Sequence, residues 1–242
     1  MEMMPCWPDG ESRTVERGEG VRMERKFDEE LKELSGMLMK MGSLAQTMIY
    51  KSIKALADRD RSLLKDVYTL EDSVNLLHVE IDDFCLKLLA LRQPQAGDLR
   101  MVTAAIKINT DLERLGDQAV NIAQRTESLL ERPAIKPLVD IPRESTIAQK
   151  MVNDSLDAFI KKDVKLAEDV LTRDDTIDDI NNQVFRELLT YMMSDHTTIP
   201  IAFDLIFVSK NLERIADHAT NIAEDVIFMV IGKDIRHHLA IK

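Results

Sequence analysis

Two short segments of the sequence place oxygen-bearing side chains at helical spacing. Each has an acid, a second acid four residues later and an amide four residues after that: Glu113, Asp117 and Asn121 in the first, Glu213, Asp217 and Asn221 in the second. On an α-helix four residues turn about 40° beyond a full turn, so the three side chains share one face. Such an oxygen-only set suits hard cations such as Mg²⁺, Ca²⁺, Mn²⁺ or iron.

A second acidic pattern precedes each of these segments. Asp174, Asp178 and Asn182 have the same spacing before the second segment, whereas only Glu71 and Asn75 precede the first. If the two helices of each pair lie side by side, their acidic faces converge, and like charges at such distances repel unless a cation neutralises them. The sequence therefore predicts two metal sites, the second richer in carboxylates. Their candidate ligands are Glu71, Asn75, Glu113 and Asp117 in one, and Asp174, Asp178, Glu213 and Asp217 in the other.

The same acids could instead be ordinary solvated residues on the outer face of a helix. Arg114 and Arg214 would then pair with nearby carboxylates. Solvation alone does not require one pattern twice, so the duplication favours binding. His218 and His196 lie near the motifs without metal-ligand spacing and are expected at the surface. The sequence has no Glu-x-x-His pair of the kind that di-iron bundles use.

The acidic segments belong to an internal repeat. Residues 112–123 recur at 212–223 with eight of twelve positions identical, an offset of 100 residues. Residues 66–75 resemble residues 169–178 in the same order. Two matches in one order indicate that a whole unit was duplicated.

The elements that would position these residues are long helices. Gly and Pro are scarce, and apolar positions recur with helical periodicity. The pattern predicts six helices, at about 27–57, 61–91, 98–131, 145–161, 163–193 and 198–231. Three prolines interrupt it between 132 and 143 and predict a linker. The expected fold is all-α, with two pseudo-symmetric three-helix bundles at 23–131 and 144–242. Residues 1–22 are expected to be a disordered tail or an upstream extension.

Composition narrows the range of partners. The net charge of −11 argues against nucleic acid, which binds basic surfaces. No apolar run approaches the ~20 residues that a membrane-spanning helix needs, so membrane insertion is not expected. The cysteines, Cys6 and Cys85, lie in unlike settings, which indicates neither a disulfide framework nor a zinc site and favours the cytoplasm.

Three segments resemble the PhoU family of phosphate-specific transport system accessory proteins. They are the repeated Leu-Glu-Arg-[Leu/Ile]-x-Asp string, the segment at 92–100 and the closing segment at 232–237. The resemblance runs from about Met23 to the C-terminus and implies the same pair of three-helix bundles. Some family members bind metal clusters on these acidic motifs, which implies one site at Glu71, Glu113 and Asp117 and another on the four acids of the second unit. Asn75 departs from the acidic family pattern.

The resemblance also implies a function. Family members are cytoplasmic regulators that repress the phosphate-starvation response, linking the phosphate ABC transporter, through its ATPase subunit, to a sensor histidine kinase. We therefore expect a non-enzymatic adaptor, with divalent or ferric ions (iron, Zn, Mg, Mn or Ca) at the acidic motifs; a homodimer is one of the oligomeric states left open. The alternatives are a carboxylate-rich metal-storage or metal-dependent hydrolytic protein, and a helical scaffold without metal whose acids dock a basic surface.

Overall fold

The chain is helical apart from its connecting segments and last residues in the part that the computed structural model describes, residues 16–235, with side chains from residue 26 onward. Seven α-helices and one 3-10 turn, His196–Thr198, occur there: α1 Glu16–Asp58, α2 Ser62–Arg92, α3 Ala96–Leu130, α4 Asp140–Lys161, α5 Val164–Thr172, α6 Asp174–Ser194 and α7 Ile199–Ile231. Helices α1–α3 form a first unit and α4–α7 a second, in which α5 and α6 together take the place of α2. The prediction of an all-α fold with two three-helix bundles is thereby confirmed. Residues 1–15 of the expected tail lie outside the described residues, and residues 16–22 belong to α1.

Equivalent residues start the second helix of each unit. Asp60 Oδ1 accepts a hydrogen bond from the Ser62 N–H at 2.9 Å, and Asp163 Oδ1 accepts one from the Lys165 N–H at 3.0 Å. Each carboxylate thus satisfies an N–H that has no partner inside its helix. At the other end of the second unit, Gly232 terminates α7 with φ 77°, a left-handed conformation that favours glycine.

Three helices differ from the sequence prediction. Helix α1 begins at Glu16 instead of near residue 27. The helix expected at 163–193 is interrupted at Arg173, whose guanidinium pairs with Asp154 of α4 at 2.5 Å and with Asp169 of α5. The interruption puts Asp174 in the first turn of a new helix. Helix α4 begins at Asp140, five residues before the expected start, because a proline in a first turn, here Pro142, interrupts no helical hydrogen bond.

Helices α3 and α7 pack side by side at the centre and run antiparallel. Lys107 Nζ on α3 lies 2.8 Å from Asp225 Oδ1 on α7, and Arg100 Nε donates to the Met229 carbonyl at 3.1 Å. Helices α1 and α2 flank α3, and α4, α5 and α6 flank α7. Helix α1 also packs on α4, so the buried apolar side chains form one core across both units. None of the described helices is long and apolar enough to span a bilayer.

Candidate functional site

The two acidic motifs occupy equivalent places in the two units. Burial matches position for position between residues 111–119 of α3 and 211–219 of α7. Leu115, Ala119 and Ile122 are fully buried, as their positions opposite the acids predict. The candidate ligands also match in exposure between the two units. The first acid of each helix is half-buried and the residue four positions later is exposed: Glu71, Glu113, Asp174 and Glu213 are half-buried, whereas Asn75, Asp117, Asp178 and Asp217 are exposed.

Helices α6 and α7 bring the four acids of the second unit within electrostatic reach of one another; we call them the second acidic cluster. Partial burial, reinforced by the charges of Asp217 and Asp178, raises the pKa of Asp174 to about 6. The pKa values of Asp178 and Asp217, whose side chains still reach solvent, are also raised, first because protein atoms displace part of the water around each carboxyl and then by the nearby Glu213 carboxylate. The carboxylates are therefore close enough to one another for each charge to disfavour ionisation of its neighbours.

Lys210 supplies a positive charge to the second acidic cluster. Its ammonium pairs with the Glu213 carboxylate one turn along α7, and it lowers the pKa of both Asp178 and Asp217 against the other influences. The equivalent position in the first unit is Thr110, which has no charge. Lys210 thus neutralises part of the negative charge of the second acidic cluster.

The first unit holds the weaker cluster. Burial, followed by the Asp117 and Asp72 carboxylates, raises the pKa of Glu71. Asn75 stands where the second unit has Asp178 and contributes an amide oxygen without charge. Helices α2 and α3 therefore do bring Glu71 and Asp117 together, but with less negative charge to neutralise.

The candidate ligands have the right chemistry for a hard cation, but their side chains are not arranged around one. Every candidate ligand offers oxygen, which suits Mg²⁺, Ca²⁺, Mn²⁺ or iron; structural zinc sites instead use sulfur and nitrogen. Within residues 26–235, however, no group of three or more His, Cys, Asp or Glu side chains is arranged so that it could hold a metal ion. Side-chain rotation on α6 and α7 would be needed to close the second acidic cluster around an ion.

A buried glutamate lies behind the second acidic cluster, and sequence reasoning missed it. Glu144 of α4 is completely buried, and its Oε2 accepts a hydrogen bond from the Ser209 hydroxyl at 2.7 Å. Burial raises the pKa of Glu144 to about 8; Ser209 and Asn181 oppose the rise, and Glu213 adds to it. Residues 66–75 and 169–178 are 103 residues apart, and extending that offset toward the start of each unit would have revealed Glu144, because it places Glu144 at the core position of Met41.

A histidine that the sequence reading placed at the surface lies between the units. The His218 side chain is 14% exposed, and its Nδ1 lies 2.8 Å from Asp111 Oδ1 on α3. Asn221 Nδ2 donates to the same oxygen at 3.4 Å, so this amide turns toward α3. The surface assignment of His218 was therefore wrong, because a helix face that is polar in sequence can still pack against another helix.

Comparison with known proteins agrees with this geometry. The family model described as PhoU domain matches the chain twice, at residues 38–126 and 141–226, once in each three-helix unit. The chain belongs to the PhoU family. Among its curated PhoU relatives, the phosphate-specific transport system accessory protein PhoU homolog of Aquifex aeolicus is 43% identical over 212 residues, covering 88% of this chain and 96% of that protein. The homolog of Pseudomonas aeruginosa is 39% identical and covers 88% of each chain.

Solved PhoU structures have the same fold. The crystal structure of PhoU from Pseudomonas aeruginosa superposes with a TM-score of 0.82 at 38% identity, over 86% of this chain and all of that one. The phosphate transport system regulatory protein PhoU from Streptococcus pneumoniae gives a TM-score of 0.80 at 28% identity, over 86% and 98% of the two chains. The PhoU fold thus spans both units and both acidic motifs.

Proposed function

We propose that this chain is a cytoplasmic, non-enzymatic regulator of phosphate uptake that represses the phosphate-starvation response when phosphate is plentiful. In this role it links the ATPase subunit of a phosphate ABC transporter to a sensor histidine kinase. The observation that supports the proposal is the 43% identity to an accessory protein of the phosphate-specific transport system over nearly the whole of both chains. A role in regulating phosphate transport follows from that likeness, and the kinase link extends it.

The acidic clusters would contribute as cation sites. The second acidic cluster, on Asp174, Asp178, Glu213 and Asp217, is the better candidate because its carboxylates repel one another more strongly than those of the first. A bound hard cation would supply positive charge that offsets this repulsion. Held between α6 and α7, the four carboxylates would then clamp the two helices together.

Deleting the gene in its own organism tests the regulatory role. We expect genes of the phosphate-starvation response to be expressed in phosphate-rich medium, and a plasmid copy of the chain to restore repression. Repression that is unchanged in the deletion strain would refute the proposal. A plasmid encoding the chain with a premature stop codon serves as the matched control.

A carboxylate-rich metal-storage or hydrolytic protein is the competing function, and the second acidic cluster is the observation that favours it. Elemental analysis of the purified chain and of a variant with Asp174, Asp178, Glu213 and Asp217 changed to Ala separates the two. Equal metal content in both proteins would remove the cation site. Hydrolysis of a phosphoester by the wild type that the variant loses would favour an enzyme.

A further inference from the structure

The outward face of α2 presents large apolar side chains to solvent. Leu76, Val79 and Leu86 are 68%, 62% and 60% exposed. Together with three other exposed residues they form a row with alternating steps of four and three: Asp72, Leu76, Val79, Asp83, Leu86 and Ala90. We call this row the α2 seam. Steps of four and three are the spacing by which one helix packs along another in a coiled coil.

The second unit provides an internal comparison for the α2 seam. The equivalent row on α6 is also exposed and consists of Asp175, Asp179, Asn182, Arg186, Leu189 and Met193. Asp179 and Asn182 thus stand where α2 has Leu76 and Val79. The helix needs no apolar residue at either position, so folding alone does not explain the apolar pair. Neighbouring exposed apolar residues are typical of a surface that meets a partner.

The charges around the α2 seam are mainly negative. Asp72 and Asp83 lie in the row itself, and Glu80 lies exposed beside Val79. Lys87 is the opposing charge, with its Nζ 3.9 Å from Asp83 Oδ2 at an exposed position where such a pair contributes little. An acid within an apolar seam is best matched by a basic residue in the helix that covers it.

We propose that the α2 seam is a docking surface for an amphipathic helix of a partner protein, with an apolar stripe that covers Leu76, Val79 and Leu86 and a Lys or Arg that pairs with Asp83. A second copy of this chain fits less well, because two α2 seams packed together would place the acidic residues of each seam against those of the other, where they repel. The alternating spacing sets the register and the acid selects the partner's charge. Docking at the α2 seam does not depend on the phosphate-related role, because it requires only the apolar and acidic side chains of this face.

Designed helical peptides test this surface on the full-length chain. The first probe is a peptide of about 28 residues with Leu and Ile at the seam positions, one Lys in its apolar row and basic flanks. The second replaces the Lys and the flanking bases with Glu. In fluorescence anisotropy we expect the wild type to bind the basic peptide roughly tenfold more tightly than the acidic one, with the difference shrinking at high salt.

Variants taken from the repeat provide the controls. L76D/V79N gives α2 the residues of α6 and should weaken binding of the basic peptide by roughly tenfold or more, while D83R should reverse the preference between the peptides. M193D removes an exposed apolar side chain from α6 and should leave binding unchanged. Circular dichroism melts should show every variant folded, since all the changed residues are exposed.

Three results would overturn the proposal. The first is equal affinity of the wild type for both peptides, or affinity for neither. The second is binding that L76D/V79N leaves intact. The third is a wild-type dimer in sedimentation equilibrium that the same double variant dissociates, because the α2 seam would then belong to a second copy.

Discussion

Glu144 of α4 stands where the first unit has Met41 of α1, and both side chains are completely buried. The two residues are 103 apart, the offset that also relates Ser52 to Ser155 and Asp60 to Asp163. Since an apolar side chain fills this position in one unit, the carboxyl in the other is not a requirement of the helix packing. Ionising the Glu144 carboxyl in this buried position lowers the stability of the folded chain, because no water solvates the charge.

The stability of the chain should therefore fall as pH rises. The pKa of Glu144 is about 8 in the folded protein against an ordinary value of 4.5, so between these values the folded chain keeps a proton that the unfolded chain has released. The free energy of unfolding should fall by on the order of 1 kcal/mol per pH unit in that range and level off above it. Urea denaturation at pH 5 and pH 8 measures the slope.

E144M, which copies the first unit, and E144Q, which retains the shape, should both flatten this pH dependence. The reverse change, M41E, should steepen it, because it buries a second carboxyl among apolar neighbours. A pH slope that is the same in wild type and in both Glu144 variants would show that this carboxyl does not hold its proton in the folded state.

Asp174 should limit the stability of the metal-free protein. Its pKa is raised to about 6 by burial and by neighbouring acids, so at pH 7 it is ionised at a cost. D174N should stabilise the chelator-treated chain by roughly 1 kcal/mol, after allowance for screening by water. It should also reduce any rise in melting temperature on adding Mn²⁺. Greater destabilisation of the metal-free chain by D174N than by D175N, the exposed neighbour, would contradict this account.

Replacing Lys210 should strengthen cation binding. K210T introduces the residue that the first unit has at Thr110 and removes the ammonium beside Glu213. The more negative cluster should bind Mn²⁺ roughly tenfold more tightly, because no resident cation competes for the carboxylates. Isothermal titration measures the affinity. K150T, at a residue of the neighbouring helix α4, is the control, and weaker binding by K210T would argue that Lys210 positions the ligands.

Asp204 should be a strong contact between the units. This buried carboxylate of α7 lies 3.3 Å from Arg125 and Arg132 and accepts a hydrogen bond from Ser128 at 3.0 Å. D204A removes the carboxylate that the Ser128 hydroxyl and the two guanidinium groups contact. The free energy of unfolding should therefore fall by about 2 kcal/mol. E131A removes only the exposed pair with Arg61 and should cost less than about 0.5 kcal/mol. Equal losses in the two variants would refute the comparison.

The elements that sequence predicts well here are those set by local patterns. Helical periodicity predicts six helical segments, and the repeat predicts that Glu113 and Glu213 occupy equivalent positions in the two units. Both predictions depend only on spacing within one helix. The outward direction of the acids follows from the same spacing, with Leu115 and Ala119 buried opposite. Metal binding by those acids stays a prediction.

What the sequence reading missed depends on contacts between helices. The His218–Asp111 pair joins α7 to α3 across 107 residues of chain, and Glu144 meets Ser209 across 65. The interruption at Arg173 depends on Asp154 of a different helix. Spacing along one segment contains no information about a neighbouring helix, so such partners emerge only when the helices are packed together.

We propose that this chain joins the phosphate transporter to the sensor kinase. The most direct test is a three-component reconstitution with the transporter's ATPase subunit, the kinase's cytoplasmic portion and this chain. We expect the tagged ATPase subunit to retain the kinase only when the chain is present, and excess untagged ATPase subunit to compete. Retention of the kinase without the chain, or no retention with it, would contradict the claim.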